Sequence, residues 1–477
     1  MKVVVVGAGI AGLSTALALA RSDHEVVVLE RDAAHPPDDS SRAPEWARPG
    51  VPHFLQPHAF LGRGIKELRH HAPDVYQALL DEGGEELRLF DKMPESHLVA
   101  EDKDLLVLGC RRPVIEWVMR RVVSAEPNVE IRVGAAATGL RWAQGDTGVP
   151  HASGVRTPQG VVPADLIVDA MGRSSPLSEW IVDASGNRPE SRSDDCGIVY
   201  YSRYFQFCRG QSRPEGPWLL GPRAELGYME TGTFWGDKGT FALVQQIRAN
   251  DRELRVLRHA EQYMASLRSQ PTLAGLVAED VSEPITPVLP MGQLRNTFKE
   301  FVKQGRPLIS GVIAIGDARC HTNPRYAWGL SLALAQGFLL ADLVAQHGED
   351  AEALMMAFES GANAWTSTAF RSSSATDNER KVYWSGAPID FTTPAGALQL
   401  FLLMMFPIAG MRDAEIFRKA VRRIMLLDDP RTVESDHELL GRAETIAKSL
   451  LAGSPPARQG PTRTELLRIL QGPTVSP

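Results

Sequence analysis

Directly after the valine run Val3 to Val6, residues Gly7-Ala8-Gly9-Ile10-Ala11-Gly12 spell G-x-G-x-x-G and open an Ala/Leu-rich helical run from Ile10 to Ala20. Glycines at this spacing permit a tight turn, a close approach of backbone to a pyrophosphate, and close packing of the helix on the strand. The free N–H groups at the helix start then face the anion. Gly7, Gly9, Ile10, Ala11 and Gly12 are therefore candidate cofactor contacts. A second valine-rich strand, Val26 to Leu29, ends in Glu30, where an acid accepts from a ribose hydroxyl, with Arg31 beside it.

A second ligand-facing turn lies far downstream. The apolar run Leu308 to Ile315 leads into Gly316-Asp317, then Pro324, then Gly329-Leu330-Ser331 at the head of another Leu/Ala helix. A nicotinamide dinucleotide does not need this second turn, whereas a flavin does. The flavin's ribityl chain takes a side-chain acceptor, supplied by Asp317. Its ring edge takes donors that hold charge in the reduced state, supplied by the helix start at Gly329. No Ser-His-Asp arrangement or metal-ligand spacing is visible, and no metal is expected. His58 and His321 sit near turns, where an imidazole is more often structural than catalytic. Arg203 and Tyr201, with Tyr204, Phe205, Trp235 and Phe241, lie on β-rich segments and could line a substrate cavity or pack the core.

The elements that must position these groups follow from the same pattern. Strand, glycine turn, helix and strand at the start are half of a doubly wound α/β nucleotide fold. Arg31 to Pro57 is polar, proline-bearing and too long for a simple connection, as befits a loop that covers something. Arg111 to Val123 has helical spacing, and Val129–Leu140 and Gly160–Ala170 read as strands returning to the same sheet. From Gly197 to about Arg248 the chain turns aromatic and β-rich. The expected organisation is a discontinuous Rossmann-like dinucleotide domain (1–180 and 285–345) with an inserted β-sheet substrate domain (181–284), a helical C-terminal region (346–452), and a loosely ordered tail (453–477) with a short helix near Leu466–Leu470.

Together the two motifs resemble the flavin-dependent monooxygenases of the p-hydroxybenzoate hydroxylase fold, over roughly Met1 to Ala345. The resemblance implies bound FAD, with Asp317 on the ribityl chain and Pro324, Gly329 and Leu330 along the isoalloxazine. It also implies an FAD contact from Arg112, which precedes Pro113, with Arg111 as its rival. The family's middle motif commonly carries an acid linked to both FAD and NADPH. Here Met171 stands in its place, within Asp169-Ala170-Met171-Gly172-Arg173. NAD(P)H is thus expected to dock loosely, or a separate flavin reductase to deliver the electrons. With Gly50-Val51-Pro52, His58 and Tyr201-Ser202-Arg203, the chain is more similar to flavin epoxidases of polyketide and other natural-product pathways. That likeness implies insertion of one oxygen atom from O2 through a C4a-hydroperoxyflavin, by epoxidation or hydroxylation. The alternatives are flavin-dependent reduction of an isoprenoid-type double bond and, more remotely, flavin-dependent halogenation, whose Trp-x-Trp-x-Ile-Pro segment is missing.

Composition narrows the partners. Fifty-one basic against 58 acidic residues, net −7, offers no positive excess to hold nucleic acid. Hydrophobic residues at 43% and charged residues at 23% over 477 positions support a large folded core. Four scattered cysteines without a C-x-x-C pair are expected to be inert thiols, and the immediate strand after Met1-Lys2 leaves no separate signal-peptide region, so a cytoplasmic location is expected. Ala395–Met411 is uncharged but short for a span. With Leu354–Phe358 and the aromatic strands, it is expected to supply a greasy surface for a long apolar substrate.

Overall fold

The computed structural model describes residues 1–94, 97–145, 148–216, 218–386, 406–452 and 458–471. Its centre is a five-stranded parallel sheet in the order Val312–Ala314, Leu166–Asp169, Lys2–Val6, Glu25–Glu30 and Val129–Val133. The three inner strands read as near-continuous valine, leucine and isoleucine because a parallel sheet is covered on both faces. Helices Ile10–Ala20, Arg112–Ala125 and Trp328–His347 pack into the same apolar core. Trp328–His347 is the one helix among the described residues long and apolar enough to cross a membrane, but 72% of its most apolar window is buried, as in a core helix.

Two expected strands divide. Gly134 takes a positive φ of 66° and turns the chain out of the parallel sheet after Val133. Gly139–Gln144 then pairs with Pro150–Thr157, and that strand with Gly160–Pro163, in a separate antiparallel sheet. Only Leu166–Asp169 re-enters the central sheet, beside Lys2–Val6.

The β-rich segment forms an antiparallel sheet of Arg223–Glu225, Met229–Trp235, Thr240–Arg248 and Ile198–Phe207, with Ser282–Pro284 and Leu289–Met291 both on the outer edge of Ile198–Phe207. One face carries a second apolar core containing Phe205, Phe207, Trp235 and Phe241. Helix Ala351–Trp384 runs alongside, and the Leu354–Phe358 run is buried in the central-sheet core. It is packing, not substrate surface. The Ala395–Met411 segment lies mostly outside the described residues.

Within the expected tail the short helix is present and is fastened to the rest of the protein. Arg463 pairs with Asp251 at 3.0 Å and Glu253 at 2.7 Å, and helix Arg463–Gln471 buries Leu466 and Leu470. Upstream, the Tyr228 hydroxyl donates to the Pro461 carbonyl at 2.9 Å and the Glu225 amide to Gln459 Oε1 at 2.7 Å. An amphipathic helix with paired charges has a partner to dock on, which composition alone does not show.

Candidate functional site

The three motif glycines have different tasks. Gly7 has φ +106°, and a Cβ there would stand 2.5 Å from the Ala170 carbonyl oxygen. A Cβ on Gly12 would stand 1.9 Å from the Gly7 carbonyl oxygen, so Gly12 lets the helix cross its own turn and does not reach the cavity. At Gly9 a Cβ would meet nothing within 4 Å. It would enter a cavity of about 780 Å³ that also takes Gly7, Ile10, Ala11, Glu30, Arg31, His58, Arg112, Asp317, Pro324, Gly329 and Leu330 into its wall. The two motifs, some 300 residues apart in sequence, thus address one space.

Behind the turn lies a buried ionic cluster that starts in the 31–57 loop. Glu30 accepts from the Ala8 amide at 3.0 Å and the Asp32 amide at 2.9 Å. Arg48, unmarked by any motif, donates Nη2 to the Ala8 carbonyl at 3.0 Å and to Glu30 at 3.1 Å. Asp32 and Glu116 lie 3.7 and 3.6 Å from its guanidinium. Its Nε and Nη1 are buried without hydrogen-bond partners among the described residues, although the residue lines the cavity. Buried donors are rarely left unpaired, so this is where an acceptor-rich ligand fits.

Arg112 donates Nε to Glu116 at 2.7 Å and Nη1 to His58 Nε2 at 3.1 Å. The other His58 nitrogen, Nδ1, donates to the Gln56 carbonyl at 2.8 Å. Burial, and then the adjacent Arg112, push the His58 pKa down to about 3. The ring is neutral and both nitrogens are engaged, so His58 steadies Arg112 and is a poor proton shuttle. Arg111 turns instead to Asp237, at 2.6 Å, and does not reach the cavity.

At the late motif, Gly316 turns with φ +58° and presents Asp317 to the cavity, its side chain without a hydrogen bond among the described residues. His321 Nε2 lies 4.0 Å from Asp317, while its Nδ1 donates to the Arg295 carbonyl at 2.7 Å. Ala327, at φ +56°, turns the chain into helix Trp328–His347 and aims its N-terminus at the same space. Arg319 and Arg325 are not available for phosphate: Arg319 is buried against Glu359 and Asn363, and Arg325 is paired with Glu230.

Asn323 and Tyr326 tie this loop to helix Ala351–Trp384. Asp377 accepts from Asn323 Nδ2 at 2.8 Å, Tyr326 Oη at 2.9 Å, Arg380 at 2.7 Å and Asn296 Nδ2 at 2.9 Å. The Tyr200 hydroxyl completes the chain by donating to Asn323 Oδ1 at 2.6 Å.

In the middle motif an acid is present but turned inward. Asp169 accepts from the Met171 amide at 3.0 Å and the Ser175 hydroxyl at 2.5 Å, and burial raises its pKa. Ala170, Met171, Gly172 and Arg173 face the cavity.

On the β-sheet the register corrects the candidates. Successive side chains of a strand point to opposite faces, and Tyr200 lines the cavity while Tyr201 packs into the second core and Arg203 donates Nε to the Thr286 carbonyl at 2.8 Å. Phe234, Val244 and Gln246, with Pro290 and Met291, supply the rest of this wall, and Tyr204, Phe205, Trp235 and Phe241 do not touch it.

These residues fit FAD. The open face of Gly9, the unpaired donors of Arg48 and the free acceptor of Asp317 line one space that also holds the uncapped start of helix Ile10–Ala20.

Comparison with known proteins agrees with this reading. The sequence model of the FAD dependent oxidoreductases matches residues 2–174. Protein Rv3254 of Mycobacterium tuberculosis is 29% identical over 43% of this chain, a match that spans 45% of that relative's length. Among solved structures, PqsL of Pseudomonas aeruginosa, described as a probable FAD-dependent monooxygenase, superposes with a TM-score of 0.58 at 17% identity, covering 81% of this chain and 98% of PqsL. The flavin-dependent brominase Bmp2 superposes with a TM-score of 0.60 at 15% identity, covering 95% of this chain and 99% of Bmp2. Residues 2–174 thus match the sequence model of the FAD dependent oxidoreductases, and over most of its length the chain has the fold of the FAD-dependent monooxygenases of p-hydroxybenzoate hydroxylase type.

Proposed function

We propose that this protein is an FAD-dependent monooxygenase that inserts one oxygen atom from O2, by epoxidation or hydroxylation, into an apolar natural-product intermediate. The observation that carries the reading is the single cavity in which both dinucleotide motifs meet an apolar wall of Phe234, Val244, Pro290 and Met291. FAD, when bound, supplies the activation of O2. Gly9 and the start of helix Ile10–Ala20 receive the pyrophosphate, Glu30 the ribose and Asp317 the ribityl hydroxyls, and the Gly329 helix start faces the ring edge. Arg112 and Arg48 add positive charge to the cavity wall. The apolar wall excludes water and orients the substrate, which gains affinity by burial at roughly 25 cal/mol per Å². Electrons come from NAD(P)H in transient contact or from a separate flavin reductase, since Met171 stands where the resembled family carries an acid.

Incubation with candidate polyene and aromatic compounds under ¹⁸O2, read by mass spectrometry, tests this function. One labelled oxygen in the product is expected. Gain of two hydrogens without label would replace the reading with double-bond reduction. Because the brominase fold covers nearly the whole chain, the same assay is run with bromide and chloride, and a halogenated product would overturn oxygen transfer to substrate.

A further inference from the structure

His53 is a cavity-lining imidazole that the reading so far does not use. His58 has both nitrogens engaged and His321 has Nδ1 engaged, but the His53 ring makes no side-chain hydrogen bond within the described residues. Its nearest aromatic neighbour is His58, with ring centroids 5.8 Å apart and planes 36° apart.

The position of His53 matters as much as its freedom. Its carbonyl accepts from the Gln56 amide at 3.1 Å, closing a turn. The Gln56 side chain accepts from the Ser202 hydroxyl at 2.6 Å, which fastens that turn to the strand carrying Tyr200. His53 therefore stands at the seam between the dinucleotide loops and the apolar wall. Burial, and then the surrounding Arg112, His58, His321 and Arg173, hold its pKa well below the usual imidazole range. A neutral imidazole offers one N–H and one lone pair, and it matches a group that is itself both donor and acceptor. Of the polar groups on the sheet side, the Tyr200 hydroxyl donates to Asn323, Arg325 pairs with Glu230, and Gln246 accepts from Arg325 through Oε1.

We propose that His53 recognises an uncharged hydroxyl on the substrate, so that the ligand class is an apolar skeleton bearing a neutral hydroxyl at the end that meets this ring. The inference deepens the monooxygenase reading and rests on it for the placement of substrate in this cavity. His53 is then a specificity-determining residue. A buried polar partner left unpaired by a ligand without the hydroxyl costs affinity, so discrimination should exceed what apolar contact gives.

The test uses the FAD-loaded full chain and three probes of one skeleton: 1-naphthol, naphthalene and 1-naphthoate. Binding is followed through perturbation of the flavin absorbance, without reductant and therefore without turnover. The wild type is expected to bind 1-naphthol at least tenfold more tightly than either other probe. His53→Leu should remove that preference while leaving naphthalene affinity and FAD retention unchanged, and His53→Gln should restore part of it. An unchanged naphthol preference in His53→Leu, tighter binding of naphthoate, no binding of any probe, or loss of FAD from His53→Leu would each overturn the proposal. A protein that shows the His53-dependent preference but transfers no label from ¹⁸O2 would retain this inference and lose the proposed reaction.

Discussion

The contrast between Gly9 and Gly12 separates ligand contact from folding within one motif. Gly9→Val places its Cβ into the cavity, where no protein atom lies within 4 Å, so the protein should fold with a melting temperature near that of the wild type and purify without flavin. Gly12→Val meets the Gly7 carbonyl and should cost several kcal/mol, seen as lost soluble yield and a lowered urea midpoint. Asp317→Ala removes one charge-assisted acceptor and should weaken FAD binding by about 1.5–3 kcal/mol in an equilibrium titration, with the fold intact. These residues were legible because backbone chemistry ties glycine and an acid to fixed places after a strand. Arg48, His53 and Asn323 were not, because their roles depend on neighbours brought together only by folding. Tyr201 and Arg203 were misplaced by one register step: composition marks a β-strand as aromatic but not which face turns inward.

At the level of elements, the loop that presents Pro324 and the Gly329 helix start is anchored outside the dinucleotide fold. Asp377, fully buried on helix Ala351–Trp384, gathers four donors, two of them from that loop. Asp377→Ala leaves those donors buried and unpaired, a loss of about 3–5 kcal/mol in global stability. FAD affinity should fall with it, measured by fluorescence titration at a temperature where the variant is still folded. The parallel strands and their helices were readable from valine runs and period, since both faces of each inner strand are buried. The small antiparallel sheet after Gly134 was not readable, because its strands alternate weakly and the deciding feature is one glycine at positive φ.

For the whole molecule, the Glu225 carboxyl, on the antiparallel sheet and bonded to Trp384 of helix Ala351–Trp384, makes stability pH-sensitive. Burial and the facing Glu230 raise the Glu225 pKa to about 7, although Arg325, the Gly227 amide and Trp384 Nε1 favour its charged form. An acid whose folded pKa exceeds its unfolded value contributes most below the unfolded pKa, and that contribution is lost as pH rises to the folded one. Stability should therefore decline from about pH 4.5 to about pH 7 through this group. Glu225→Gln should flatten the decline and raise stability at pH 8 by on the order of 1–3 kcal/mol, measured by urea denaturation at several pH values.

The order of strands in the central sheet also sets a timetable for biosynthesis. Leu166–Asp169 needs Val312–Ala314 as its neighbour, and Asp317 and the Gly329 helix start follow immediately after. A nascent chain that has emerged only as far as the antiparallel sheet holds the first glycine turn but an open strand edge and half a cofactor site. Such an edge is prone to pair with other chains. Capture of flavin must then be a late event, and a messenger truncated before Val312 should yield colourless, aggregating protein while the full-length messenger should not.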